Sequence, residues 1–246
     1  MALDKSKIIA SAFITIAIIT FASIVSKSWR KTHVSYQTIA VTGLGQKDFK
    51  SDLIVWTASF SRTANTLSEA SRFINDDLTL VKEFLTKKGI NSNEITFSTV
   101  KINRNYKSIY NKEGSVTGNE FVGFTLSQFI TIESKNSELI EKMIGQISEL
   151  IEKGIEFSAN EPNYYYTKLK DLKVELLKQA TEDAYFRATT IAQNAKSSVG
   201  ILKSATMGVF QITAQNSNED YSWGGSFNTD SKYKTASITV KLEFDL

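Results

Sequence analysis

The chain has 246 residues, of which 41% are hydrophobic and 22% charged, inside the range of ordinary globular proteins and long enough to bury a sizeable core. Lys and Arg number 29 against 26 Asp and Glu, so the net charge of +3 is a small imbalance rather than a basic face built for phosphates, and no nucleic acid is expected as a partner. The absence of cysteine excludes disulfides, thiolate metal sites, a thiol nucleophile and a lipid-modified N-terminal Cys, and the single histidine, His33, is too isolated to build a His-based metal site or a Ser-His-Asp triad.

From Ile8 to Val25 the sequence carries no charge, and its interruptions are Ser11, Thr15, Thr20 and Ser23, whose hydroxyls can bond back to helix carbonyls. A helix over this run is roughly 27 Å long, close to the hydrocarbon thickness of about 30 Å, so one N-terminal transmembrane helix is expected. Lys5 and Lys7 precede it, Lys27, Arg30 and Lys31 follow it, and Trp29 falls where an interfacial aromatic would sit. A cleaved signal peptide is the alternative, with Ser26 and Ser28 as a small-x-small site. The length of the run and the cations crowding that site favour the uncleaved anchor. The nearly balanced flanking charges do not fix the orientation. Residues 1–36 are accordingly read as membrane anchor and juxtamembrane segment, and residues 37–246 as one folded domain.

Beyond Lys31 the pattern alternates. Gln37 to Thr42 reads as a strand ending in a turn at Gly43-Leu44-Gly45, and Leu53 to Arg62 as a strand with Ile54, Trp56, Ala58 and Phe60 on one face. Thr66 to Glu69 matches a capping box opening an amphipathic helix, with Leu67, Ala70, Ile74, Leu78, Val81 and Leu85 on its stripe and Gly89 closing it. Glu94 to Tyr106 and Glu120 to Glu133 read as a long hairpin around the polar stretch Lys107 to Asn119, whose Gly114 and Gly118 are turn residues.

Asn136 or Ser137 can cap a second helix with the stripe Leu139, Ile140, Met143, Ile144, Ile147 and Ile151 before Gly154. A short strand at Ile155 to Ser158 follows. After Pro162, the only proline, a long helix is expected from about Thr167 to Ala195. Strands at Ile201 to Ala214 and Tyr233 to Phe244 close the chain around a polar loop, Gln215 to Lys232. Hairpin-joined strands interspersed with helices, without regular βαβ alternation, predict an α+β fold: a largely antiparallel sheet packed with amphipathic helices. A division into subdomains near Gly154 to Pro162 is compatible with the pattern.

Ile39 to Gly45, the helix ending in Lys88-Gly89-Ile90, Phe121-Val122-Gly123-Phe124 leading into a strand, and above all Ala180-Thr181-Glu182-Asp183-Ala184-Tyr185-Phe186-Arg187-Ala188 resemble, in that order, the motifs of the SIMPL domain family, the group that includes YggE-like bacterial envelope proteins. The resemblance runs through the terminal strand Ala236 to Leu246. It implies an extracytoplasmic or envelope location and a tendency to self-associate, with no catalytic residues to carry over. The last motif also has a meaning in its own chemistry. Ala180, Ala184 and Ala188 fall at successive i,i+4 positions and make a flat ridge that a neighbouring element can approach closely, while Asp183 and Arg187 can pair on the adjoining face.

Gly43-x-Gly45 lacks the third glycine and following helix of a dinucleotide site, and Glu133, Glu138, Glu141, Glu149 and Glu152 read as a solvated helix face. No catalytic, cofactor-binding or metal-ligating residues emerge. The candidate interaction surface comprises Tyr164, Tyr165, Tyr166, Tyr221 and Trp223, aromatics outside regular amphipathic patterns. The expectation is a membrane-tethered extracytoplasmic protein acting by self-association or protein interaction, with a role in envelope or stress tolerance. An enzyme or small-ligand binder whose site is assembled only by folding is the alternative.

Overall fold

The computed structural model describes residues 15–27, 37–219 and 222–246. Residues 15–27 form a helix, α1, in which Thr20 and Ser23 donate to carbonyls three and four residues back. Among the described residues no helix is long and apolar enough to cross a membrane. The start of the uncharged run, and with it Lys5, Lys7, Trp29, Arg30, Lys31 and His33, lies outside the described residues.

The α+β class and the antiparallel pairing hold, but the strands divide over two sheets. In the first, strand β1 (Thr38–Lys50) pairs along its whole length with the last strand, β10 (Tyr233–Asp245), from Thr38 opposite Asp245 to Lys50 opposite Tyr233. The other side of β10 carries β8 (Leu202–Met207) and β9 (Gln211–Ala214). The single strand expected over Ile201 to Ala214 is thus broken at residues 208–210. Ala236, Ile238, Val240, Leu242 and Phe244 alternate inward along β10 and are buried against helix α5 (Leu169–Asn194).

Gly43 to Gly45 is not a turn. It lies inside β1, because the inward positions Val41, Gly43 and Gly45 face the alanine ridge of α5 and only glycine lets the backbones come so close. A Cβ on Gly43 would stand 2.1 Å from the Ala180 carbonyl oxygen, and one on Gly45 would stand 2.1 Å from that of Leu176. Ala180, Ala184 and Ala188 are fully buried, as a close-approach ridge requires.

The second sheet has β2 (Leu53–Ala64) and β5 (Val116–Ser134) at its centre, with β3 (Ile95–Phe97) and β4 (Lys101–Tyr110) on β5 and β6 (Glu156–Ala159) and β7 (Asn163–Tyr165) on β2. Ile54, Trp56, Ala58 and Phe60 face inward together, as their spacing predicts, and pack on α2 (Leu67–Lys87), which Thr66 caps by accepting the Glu69 N–H. Asp77 also faces this core, 2% exposed, and is held by both Nε and Nη2 of Arg62 from β2.

The second amphipathic helix is two. It runs over Ser137–Ile144 (α3), breaks at Gly145, and resumes over Ser148–Glu152 (α4). Between them Gln146 and Ile147 donate to carbonyls three residues back, a tighter turn that shifts the buried stripe to Ile140, Met143, Ile147 and Leu150 and leaves Ile151 exposed. The β4–β5 hairpin is longer than expected, its turn confined to residues 111–115, where the Asn111 side chain accepts from the N–H groups of Glu113 and Ser115 and Gly114 takes φ +79. Gly118 lies in β5 opposite Ile109. Most of this hairpin is exposed on both faces, so it shows no inward and outward alternation.

Candidate interaction surface

The Gly43 to Gly45 segment that fits α5 on one face turns Leu44 to the opposite face of the same sheet, where it is opposite Thr239 and 40% exposed. Next to it the chain crosses from β8 to β9. Gly208 donates its N–H to the Thr239 carbonyl at 2.8 Å and has no room for a Cβ, which would meet Thr239 Oγ1 at 2.3 Å. Buried Gln211 then fixes the loop above. Its Nε2 donates to the Ser222 carbonyl at 2.8 Å and its Oε1 accepts the Ser226 N–H at 2.6 Å, while Gly225 makes the turn at φ +94. Trp223, held in this loop, is 100% exposed.

The loop and the sheet enclose an open pocket of about 560 Å³ whose apolar side chains include Leu44, Val209 and Trp223, with Ser222, Ser237, Thr239 and Gln211 as polar members. None of the described lining residues is charged. A fully exposed indole on a pinned loop beside an apolar recess is the arrangement that protein contact surfaces favour.

The tyrosines are placed otherwise. Tyr164, in β7, donates its hydroxyl to Glu141 at 2.9 Å and its N–H to the Thr229 carbonyl at 2.7 Å; burial, reinforced by Glu141, pushes its hydroxyl up to about 12. Buried Lys234 donates to the Tyr164 and Asn228 carbonyls, and desolvation pushes its amine down to about 8. Tyr165 pairs with Leu53, and the Tyr166 ring lies 4.7 Å from that of Phe49. Tyr164 packs on the core of the second sheet and Tyr166 on that of the first; all three tyrosines are partly covered, and none lines the Trp223 pocket. Tyr221 lies outside the described residues.

Sequence spacing did not disclose Leu44, Val209, Gln211 and Thr239. The glycines at 43 and 45 contained the signal for Leu44, since a strand with both glycines inward must turn the residue between them outward. A second apolar groove, about 460 Å³, lies between α5 and β8 and includes Leu177, Tyr185, Leu202 and Met207.

Of the carboxylates expected on a solvated face, Glu138, Glu141 and Glu149 are ion-paired, with Lys50, Lys232 and Lys88. The Lys50 ammonium beside Glu138 and the Lys88 ammonium beside Glu149 hold both carboxyls below their ordinary range, opposite to the shift a general acid needs. Among the described residues no group of three His, Cys, Asp or Glu side chains could hold a metal ion.

No curated protein matches the chain. Residues 39–244 match the SIMPL family, described as a protein of unknown function (DUF541), and this span includes both sheets, the glycine and alanine contact between β1 and α5, and the Trp223 loop. The chain belongs to the SIMPL family.

Proposed function

We propose that this SIMPL protein is tethered to a membrane by its N-terminal helix, carries residues 37–246 as an extracytoplasmic domain, and acts by associating with itself or with other proteins of the cell envelope, contributing to envelope integrity or stress tolerance. The observation that carries the association is the fully exposed Trp223 on a loop pinned by Gln211 beside a recess whose described lining is uncharged. The tether is supported by the uncharged run from Ile8 to Val25. In its described part Ile16, Ile18, Ile19, Phe21 and Ile24 are all at least 59% exposed and point around the whole helix, which suits a lipid surrounding better than one protein face.

Protease added to intact cells and to cells with an opened periplasm tests the placement. Digestion only after opening, with the chain retained in carbonate-washed membranes at full length, is the expected result. Protection in both conditions overturns the extracytoplasmic placement, and a chain beginning after Val25 overturns the tether. The second reading is a small uncharged ligand in the Trp223 pocket, favoured by its volume and its hydroxyl-bearing rim.

A further inference from the structure

We infer that the Trp223 patch is a self-complementary contact in which the Trp223 ring of one copy enters the Leu44–Val209 recess of a second copy, and the second copy's Trp223 enters the first. This rests on the self-association proposed above and assigns the surface that performs it.

Three observations favour a second copy as the occupant. First, anchor and socket are adjacent on one patch: Trp223 itself borders the recess formed by Leu44 and Val209. A two-fold contact uses the same patch twice, so it needs both halves in one place, and a patch that served a different partner has no such need. Second, the described lining is free of charge. Across a two-fold axis every charge near the axis meets its own copy, so a charged lining would repel itself, whereas this one places hydroxyl, amide and apolar groups opposite each other. Third, the residues on either side of Trp223 are already held for the contact. The Gln211 amide holds Ser222 and Ser226, and Gly225 sets the turn between them, so little freedom is lost when the ring docks. A buried Trp with a pocket to fill is the residue type most often found to dominate such contacts.

The chain's lack of cysteine makes the test direct. Full-length protein is produced in membranes as two differently tagged copies, one carrying Gly224→Cys and the other Val209→Cys, and treated with a short bis-maleimide. Position 224 has open space for a side chain, and Val209 is 47% exposed, so neither change strains the fold. The expected result is a between-tag product well above that from a Gly114→Cys copy at the distant hairpin turn, abolished when Trp223→Ser is added to both copies. In detergent, Trp223→Ser should weaken association roughly 30-fold or more, and Val209→Asp, which sets two like charges across the axis, should do the same. Trp223 is fully exposed, so its replacement should leave the thermal unfolding of the domain unchanged.

If the full chain associates while Trp223→Ser and Val209→Asp leave the association intact and the cross-link no better than the control, the assigned surface is wrong and self-association stands. A chain that stays single at every concentration overturns the contact and the self-association together. A bound uncharged small molecule released by Trp223→Ser, with no change in the number of copies, also overturns the contact and identifies the recess as a ligand pocket.

Discussion

The Asp183 carboxylate of α5 accepts the backbone N–H of Leu44 in β1 at 2.8 Å, across 139 residues of sequence. Two residues further on, Gln179 Oε1 accepts the N–H of Gln46 at 3.0 Å. β1 is the end strand of its sheet, and these side chains occupy N–H groups that an open edge would offer to another chain. Arg187 pairs with the same Asp183 from one helical turn away, so the pair read from the sequence as a surface ion pair is also the support of an edge cover.

Asp183→Ala should therefore cost about 1–2 kcal/mol, more than an exposed ion pair alone would. The Leu44 N–H, and after it Arg187, hold the Asp183 carboxyl below its ordinary value. Its folded-state value is depressed, so the stabilisation is present above about pH 4 and is lost as pH falls through the folded-state value. Asp183→Asn keeps an acceptor but removes this acid dependence. Urea midpoints at pH 7 and pH 3 for the three proteins check both statements.

Gly43→Ala or Gly45→Ala should each cost about 3 kcal/mol, because the added methyl lands on helix backbone that has no free rotamer through which to yield. Gly89→Ala has open space but a φ of +86, so its cost comes from the backbone and should be nearer 1 kcal/mol. Denaturant unfolding of the three variants separates the two mechanisms by size.

The Asp77–Arg62 pair gives a third expectation. Asp77 is 2% exposed and both its oxygens accept from Arg62, so Arg62→Met should leave a buried, uncompensated carboxylate at a cost of about 3–5 kcal/mol. Adding Asp77→Asn to Arg62→Met should recover part of that loss. A double-mutant cycle in urea measures the recovery.

How much of this was legible in the sequence depended on whether burial imposed a period. The inward face of β2, the Thr66 cap and the alanine ridge of α5 were readable because each faces a core and repeats at its element's own spacing. The Gly43 to Gly45 segment reads as a turn in sequence because local turn chemistry gives the same residues, whereas its glycines serve a partner more than 130 residues away. The break at Gly145 leaves no mark in the sequence because the apolar stripe persists through it with a shifted phase. The β4–β5 hairpin was cut short because strands wet on both faces carry no alternation. At the candidate site, Trp223 stood out as an aromatic in a polar loop, but its recess is assembled from β1, the β8–β9 crossing and β10, which only folding brings together.

The joint between the sheets should respond to alkali in two opposite steps. Lys234 is depressed to about 8, so between that value and its ordinary 10.5 the unfolded chain holds the proton that the folded chain has lost, and stability should rise across this window. Tyr164 is raised to about 12, so its contribution is complete below pH 10 and is lost as pH climbs towards 12. Lys234→Met should remove the first step and Tyr164→Phe the second, read as melting temperature against pH.

The number of copies in the native particle tests the central claim most directly. Sedimentation of the full chain, extracted from membranes in mild detergent and followed over a hundredfold dilution, should give protein masses that are multiples of 27.5 kDa and dissociate at higher concentration when Trp223 is Ser. A protein mass of 27.5 kDa throughout, identical for both proteins, would contradict it.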